Sequence, residues 1–281
     1  MRSGSNKMNN LILRILSGLL GAAIILSCMY WNKFSFLAAL AIINFFTLLE
    51  FYSIIRRNAM AALKIWGTLA GMFLLALTFL IETAVLTFHY YLLIFPVMLI
   101  TYLIKIYSWK EKMPFTSIAY TWLGVFYISM PFAMLTILTI DGENYMGHIA
   151  ASLFFLHWAN DSGAFFTGKS IGKRQLFPEI SPAKTWEGFF GGLIMTMGVS
   201  YLLFTIYQTY PVWVWLIIGV LVSVLGTLGD LTESMLKRSL KVKDSGNIIP
   251  GHGGFLDRFD SMLLSIPFIV VFLKLLEVLN V

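Results

Sequence analysis

The chain has 281 residues, of which 58% are hydrophobic and only 12% charged. A soluble domain of this size carries about 25% charged residues, so a large soluble domain is excluded, and continuous rather than alternating apolar runs exclude a β-barrel. The net charge of +6 comes with no basic tail and no nucleic-acid module; it reflects membrane orientation and phosphate chemistry, with no nucleic acid among the partners.

Nine candidate spans are predicted in chain order, at about 13–31, 34–55, 62–81, 83–104, 117–139, 147–166, 187–208, 211–229 and 261–279. The single Cys28 lies in the first and can form no intramolecular disulfide. Ile25, Leu26 and Ser27 before it resemble a lipoprotein cleavage site only loosely, and an ordinary first transmembrane helix is favoured. Trp31, Trp122, Trp213 and Trp215 fall near span ends, where aromatic belts form. Of the 20 Lys and Arg, a cytoplasmic N-terminus leaves only Lys33 and Lys274 on the far side, as the positive-inside rule requires. The C-terminus then lies outside, and the polar loops 167–186 and 230–260 lie in the cytoplasm. No internal repeat suggests an inverted-repeat transporter. The expected fold is an all-α polytopic membrane protein. Residues 1–115 supply N-terminal transmembrane helices, and 116–281 form a C-terminal transmembrane catalytic region with the two cytoplasmic loops.

The first polar loop follows Asn160 and Asp161, acids and amides being costly at the end of an apolar run unless they face the bundle interior. Gly168, Lys169, Gly172, Lys173 and Arg174 come next. Ser181 and Pro182 read as a helix start, with Ser as N-cap and Pro in the first position. Such a start presents free amides, with Lys184 and Thr185, to a phosphate; as a bare cap it needs no ligand. Residues Gly163 to Ser170 satisfy the P-loop pattern letter for letter. That motif needs a preceding strand in an α/β domain, and here a membrane span precedes it, so a P-loop is rejected.

The second loop is denser. Residues 234–260 hold Lys237, Arg238, Lys241, Lys243 and Arg258, with Asp244, Asp257, Asp260, His252 and four glycines. If the eighth helix continues past the membrane, Asp230, Glu233, Ser234, Lys237 and Lys241 share one face. Two acids then two bases on a stripe can bind metal at one end and phosphate at the other; a solvated face of i,i+4 ion pairs is the plainer alternative. Gly246, Gly251, Gly253 and Gly254 permit backbone that turns amides toward an anion. Asp257 and Asp260 at a helix start suit both Mg²⁺ and the helix dipole.

Taken together, Ser234, Lys237-Arg238, Lys243-Asp244, Gly246, Pro250, His252-Gly253-Gly254, Asp257-Arg258 and Asp260 resemble the signature of the phosphatidate cytidylyltransferases, or CDP-diacylglycerol synthases. The stretch from Ser181 through Lys184, Thr185, Trp186 and Glu187 to Gly188 also recurs in that family. The specific resemblance covers about 155–265; the N-terminal half matches only as a hydrophobic pattern. It implies transfer of the cytidylyl group of CTP to phosphatidate in the bilayer, giving CDP-diacylglycerol and pyrophosphate, at the cytoplasmic face of a bacterial membrane. It implies Asp230, Asp257, Lys237 and Arg238 as catalytic residues, and Mg²⁺ held by Asp230, Asp257 and Asp260. Substrate contacts are implied for Ser181, Lys184, Thr185, Ser234, Lys243, Asp244, His252, Gly253, Gly254 and Arg258. Phosphatidate is already ionised at neutral pH, so His252 is positional rather than a base. The alternatives are a CTP-dependent lipid-alcohol kinase, distinguished by its product, and a transporter with a cytoplasmic anion site, which leaves the motif unexplained. The pattern of the CDP-alcohol phosphotransferases is absent. Oligomeric state is left open, a homodimer being one option.

Overall fold

A computed structural model describes residues 18–57, 62–108, 111–242, 245–246 and 253–279. Helices dominate: α1 (Gly18–Trp31), α2 (Lys33–Arg57), α3 (Lys64–Glu82), α4 (Ile94–Ile106), α5 (Pro114–Gly124), α6 (Met130–Thr139), α7 (Gly147–Ile171), α8 (Trp186–Tyr207), α9 (Val212–Ser239) and α10 (Leu256–Leu279). A 3₁₀ segment, Phe88–Leu93, leads into α4, and a π turn, Val125–Ser129, joins α5 to α6. Among the described residues, seven helical segments are long and apolar enough to cross a membrane: Lys33–Arg56, Lys64–Glu82, Phe88–Ile106, Pro114–Thr139, Trp186–Tyr207, Val212–Ser239 and Leu256–Leu279. The protein is therefore an all-α, multi-pass membrane protein.

Local chemistry explains the boundaries. Asn32 caps α2: its Oδ1 accepts the amides of Phe34 and Ser35 at 2.9 Å each, and Ser35 Oγ accepts the Asn32 amide at 3.1 Å. This reciprocal pair satisfies donors that have no partner inside the helix. Pro114 opens α5, where a missing N–H costs nothing. Pro131 cannot donate to the carbonyl four residues back, and the helix slips into its π turn just before it.

Two compact units emerge. The first holds residues 1–147 and 242–258, the second 148–241 and 259–281. In the first unit, α2, α3, α5 and α6 pack around buried Phe36, Leu48, Phe51, Tyr52, Phe132 and Leu135. The Tyr52 hydroxyl donates to the Thr121 carbonyl at 2.6 Å. The indoles of Trp66 and Trp122 both donate to Thr101 Oγ1, at 2.8 and 3.1 Å. At one end the short hairpin β1 (Ile140–Asp141) and β2 (Asn144–Tyr145) meets the α1–α2 and α3–α4 connections. There the Gly142 amide donates to the Glu82 carbonyl at 2.8 Å, Tyr145 Oη donates to the Met29 carbonyl at 2.6 Å, and Lys33 pairs with Glu143 at 3.1 Å. Burial raises the Tyr145 hydroxyl above its ordinary pKa.

The second unit contains α7, α8, α9 and most of α10. The buried His157 ring of α7 reaches Leu153 O and Ser265 Oγ of α10, both at 2.7 Å, and the Phe154 and Phe259 rings meet edge to face.

Several expected boundaries move. The eighth span was placed at 211–229, and its helix continues past it, as the shared face of Asp230 to Lys237 supposes, to Ser239. The ninth was expected from 261 and begins at Leu256. The first polar loop is shorter than 167–186, because α7 continues to Ile171. Between them β3 (Gln175–Phe177) and β4 (Ser181–Thr185) form an antiparallel hairpin.

Candidate active site

The hairpin corrects the reading of Ser181 as a helix N-cap. Ser181 and Pro182 lie in β4, and the cap falls four residues later, on Thr185, whose Oγ1 accepts the Gly188 amide at 3.1 Å. Pro is tolerated at the start of an edge strand for the same reason it starts helices: no ladder donor is required there. Glu187, in the first turn of α8, accepts the backbone amides of Lys173 and Arg174 at 3.0 and 3.2 Å. The loop is thus tied to the helix it precedes, while the Lys173 and Arg174 side chains stay exposed. Residues 163–170, the P-loop look-alike, are continuous helix within α7. No phosphate-cradling loop exists there.

β4 delivers Lys184 to α9. Its ammonium forms an ion pair with Asp230 and lies 3.5 Å from the Thr227 carbonyl. The two motif segments are thereby joined in one place. One turn along α9, the fully buried Glu233 pairs with Lys237. The expected stripe is real over Asp230, Glu233, Ser234 and Lys237 but stops there. The helix ends at Ser239, and Lys241 adopts a left-handed conformation with φ 53° outside it. Arg238, about 100° around the helix from Lys237, is exposed, and Ser234 is half-buried.

Asp260 of α10 completes this constellation. It is 8% exposed, its Oδ1 accepts the Ser261 amide at 2.7 Å, and Asp230, Glu233 and Asp161 act on it electrostatically. The close approach of α9 to α10 depends on Gly229: a Cβ there would lie 2.7 Å from the Asp260 carbonyl oxygen. Glu233 and Asp161 belong to this acidic surface although the motif reading gave neither a role. The signal for Glu233 was its place on the stripe, and for Asp161 its cost at the end of an apolar run.

Asp257 belongs to the first unit. Its Oδ2 accepts the amides of Ser245 and Gly254 at 3.3 and 3.2 Å. Gly253 carries φ 84°, a conformation that favours glycine, and brings the backbone against that carboxylate. Arg258 is exposed. Lys243, Asp244 and His252 lie outside the described residues.

Among the described residues, no group of three or more His, Cys, Asp or Glu closes on one point as a ready metal cage. The donor chemistry still suits a hard divalent cation. Mg²⁺ is commonly held by one or two carboxylates, the remaining positions going to water and substrate phosphates. Asp230 and Asp260, with Glu233 beside them, offer such oxygens, and like-charged groups gathered in a partly buried place gain from a cation.

Comparison with known proteins gives a family. The sequence profile of the cytidylyltransferase family matches residues 12–276. A phosphatidate cytidylyltransferase of Bacillus subtilis is 42% identical over 182 residues, covering 63% of this chain and 65% of that protein. Proteins of the same name from Staphylococcus haemolyticus and Staphylococcus saprophyticus are 39% and 40% identical, over 58% of this chain and 62% of theirs. The chain thus spans less than two thirds of the length of these curated relatives. With a profile match running through nearly all the helices that build both constellations, the chain belongs to the cytidylyltransferase family.

Proposed function

We propose that this protein transfers the cytidylyl group of CTP to phosphatidate, giving CDP-diacylglycerol and pyrophosphate. The observation that carries the reading is the Lys184–Asp230 ion pair, which joins two motif segments through residues 46 positions apart in sequence, beside Asp260 and Glu233. The name shared by the bacterial relatives supports it.

In this reaction a phosphate oxygen of phosphatidate forms a bond to the α-phosphorus of CTP, and the bond from that phosphorus to the bridging oxygen of pyrophosphate breaks. The nucleophile is already ionised, so no general base is needed. The protein's tasks are alignment and neutralisation of negative charge. Lys184, Lys237, Arg238 and Arg258 are the cations assigned to phosphate oxygens, with Lys243 assigned from the motif. Ser181, Thr185 and Ser234 are assigned as neutral contacts. Gly253 and Gly254 are assigned as substrate contacts from the motif. Asp230 and Asp260 would hold Mg²⁺, with Asp257 a further metal-linked carboxylate on the strength of the motif. When bound, the ion supplies charge neutralisation on the triphosphate and the pyrophosphate leaving group.

The test is incubation of the purified protein with CTP, Mg²⁺ and phosphatidate, followed by mass analysis of the lipids. CDP-diacylglycerol is the expected product, formed with stoichiometric pyrophosphate. A phosphorylated lipid alcohol with CDP release would establish the kinase alternative instead, and no lipid product would overturn the proposal.

A further inference from the structure

Glu50 lies in the apolar helix α2 and is only 4% exposed. An acid in a membrane helix is costly unless it is hydrogen-bonded, and such residues mark function. Its Oε2 accepts the Leu256 amide at 3.0 Å and lies 3.4 Å from the Ser245 hydroxyl, a donor positioned to bond it. The Phe255 amide also hydrogen-bonds this carboxyl group. Leu256 is the first residue of α10, where backbone donors have no partner inside the helix. Glu50 therefore caps α10 from a position 206 residues earlier in the chain.

The fit around this carboxyl group is close. A Cβ at Gly246 would lie 2.7 Å from Glu50 Cδ, and a Cβ at Gly254 would collide with Glu50 Oε2 and Ser245 Oγ. One turn before Glu50, the Phe46 ring stacks on Phe255, with centroids 5.1 Å apart and planes 20° apart. The backbone held in this way is the backbone that grips Asp257: the Ser245 and Gly254 amides both donate to Asp257 Oδ2.

We infer that Glu50 is a positioning residue for the proposed transferase reaction, holding Ser245 and the Gly254–Leu256 backbone, and through them the Asp257 carboxylate, in the geometry the reaction requires. It contacts backbone and a serine hydroxyl, acting on the reaction through them. The inference rests on the cytidylyltransferase reading, but its structural half can be measured without turnover.

The experiment compares wild type with Glu50→Ala and Glu50→Gln in the full-length detergent-purified protein. Amide hydrogen exchange over 253–258 should quicken at least tenfold in Glu50→Ala, while 262–275 in the body of α10 stays protected. In turnover, Glu50→Ala should lower kcat and raise KM for CTP, with kcat/KM for CTP falling at least tenfold and KM for phosphatidate changing less than twofold. Glu50→Gln keeps a carbonyl acceptor and should lose less. If Glu50→Ala does not fold, Gly246→Ala, which drives a methyl into the same carboxyl group, should give the same split between the two KM values. Unchanged exchange at 253–258, or equal rises in both KM values, would overturn the positioning role. A wild-type protein that makes no CDP-diacylglycerol would overturn the functional reading instead, and the exchange data would then decide the anchoring alone.

Discussion

At the scale of single residues, Lys237 and Arg238 are sequence neighbours in opposite surroundings. Lys237 has its side chain 15% exposed and paired with the fully buried Glu233, whereas Arg238 points outward. Removing one partner of a buried ion pair leaves an uncompensated charge and costs about 3 kcal/mol. Lys237→Ala should therefore lower thermal stability, by a few degrees in a melting assay, besides impairing turnover. Arg238→Ala should melt with wild type yet lose about ten- to hundred-fold in kcat/KM, the loss of one charge-assisted contact of roughly 1.5–3 kcal/mol. Equal melting temperatures and identical kinetic defects in the two variants would refute the helical-face argument. The motif alone names both residues but cannot distinguish them; the distinction comes from helix phase, about 100° per residue, once the helix is known to continue to Ser239. Glu50 was invisible for another reason. Its partners lie 195 and 206 positions away, and no local spacing encodes such a pairing, although an acid within an apolar run was itself a usable signal.

At the scale of elements, the hydrophobic runs placed the helices, because a bilayer demands about 20 apolar residues for each crossing. What hydrophobicity does not encode is where a helix continues into polar sequence. α9 keeps its hydrogen-bonded ladder for ten residues past 229 because Asp230, Glu233 and Lys237 find partners, not because the segment is apolar. The β3–β4 hairpin was missed for a related reason: a Ser-Pro pair suits a strand start as well as a helix start, and only pairing across the turn decides. The junction of α9 with α10 supplies a test of how these elements position the acidic surface. Gly229→Ala would set a methyl 2.7 Å from the Asp260 carbonyl oxygen, whereas Gly226→Ala meets its nearest atom at 3.6 Å, an ordinary contact. Overpacking against backbone costs roughly 1–3 kcal/mol. Gly229→Ala should thus lower both melting temperature and turnover, the latter because Asp260 is displaced, while Gly226→Ala stays near wild type in both. A Gly229→Ala protein with normal turnover would mean that the helix approach at this point does not set the carboxylate geometry.

At the scale of the whole molecule, sidedness is an expectation from the charge pattern, to be tested by labelling. The α1–α2, α3–α4 and β1–β2 connections meet through Met29, Lys33, Glu82, Gly142 and Tyr145. Alternate loops of a membrane bundle must share one side, so this meeting agrees with the span order. The positive-inside rule predicts an external position for these sparsely basic connections and, separately, a cytoplasmic one for the segment carrying Lys169, Lys173 and Arg174. Ser245, a natural choice for a labelling probe within the second polar segment, is only 3% exposed and would report burial rather than side. Glu143, whose side chain is 93% exposed, and Lys173, also exposed, are suitable instead. With Cys28 replaced by Ser, Glu143→Cys should react with a membrane-impermeant maleimide in intact cells. Lys173→Cys should react only after permeabilisation. Ready labelling of Lys173→Cys in intact cells would invert the topology. It would also remove the proposed site from the compartment that holds CTP, so the orientation and the proposed reaction stand or fall together on this measurement.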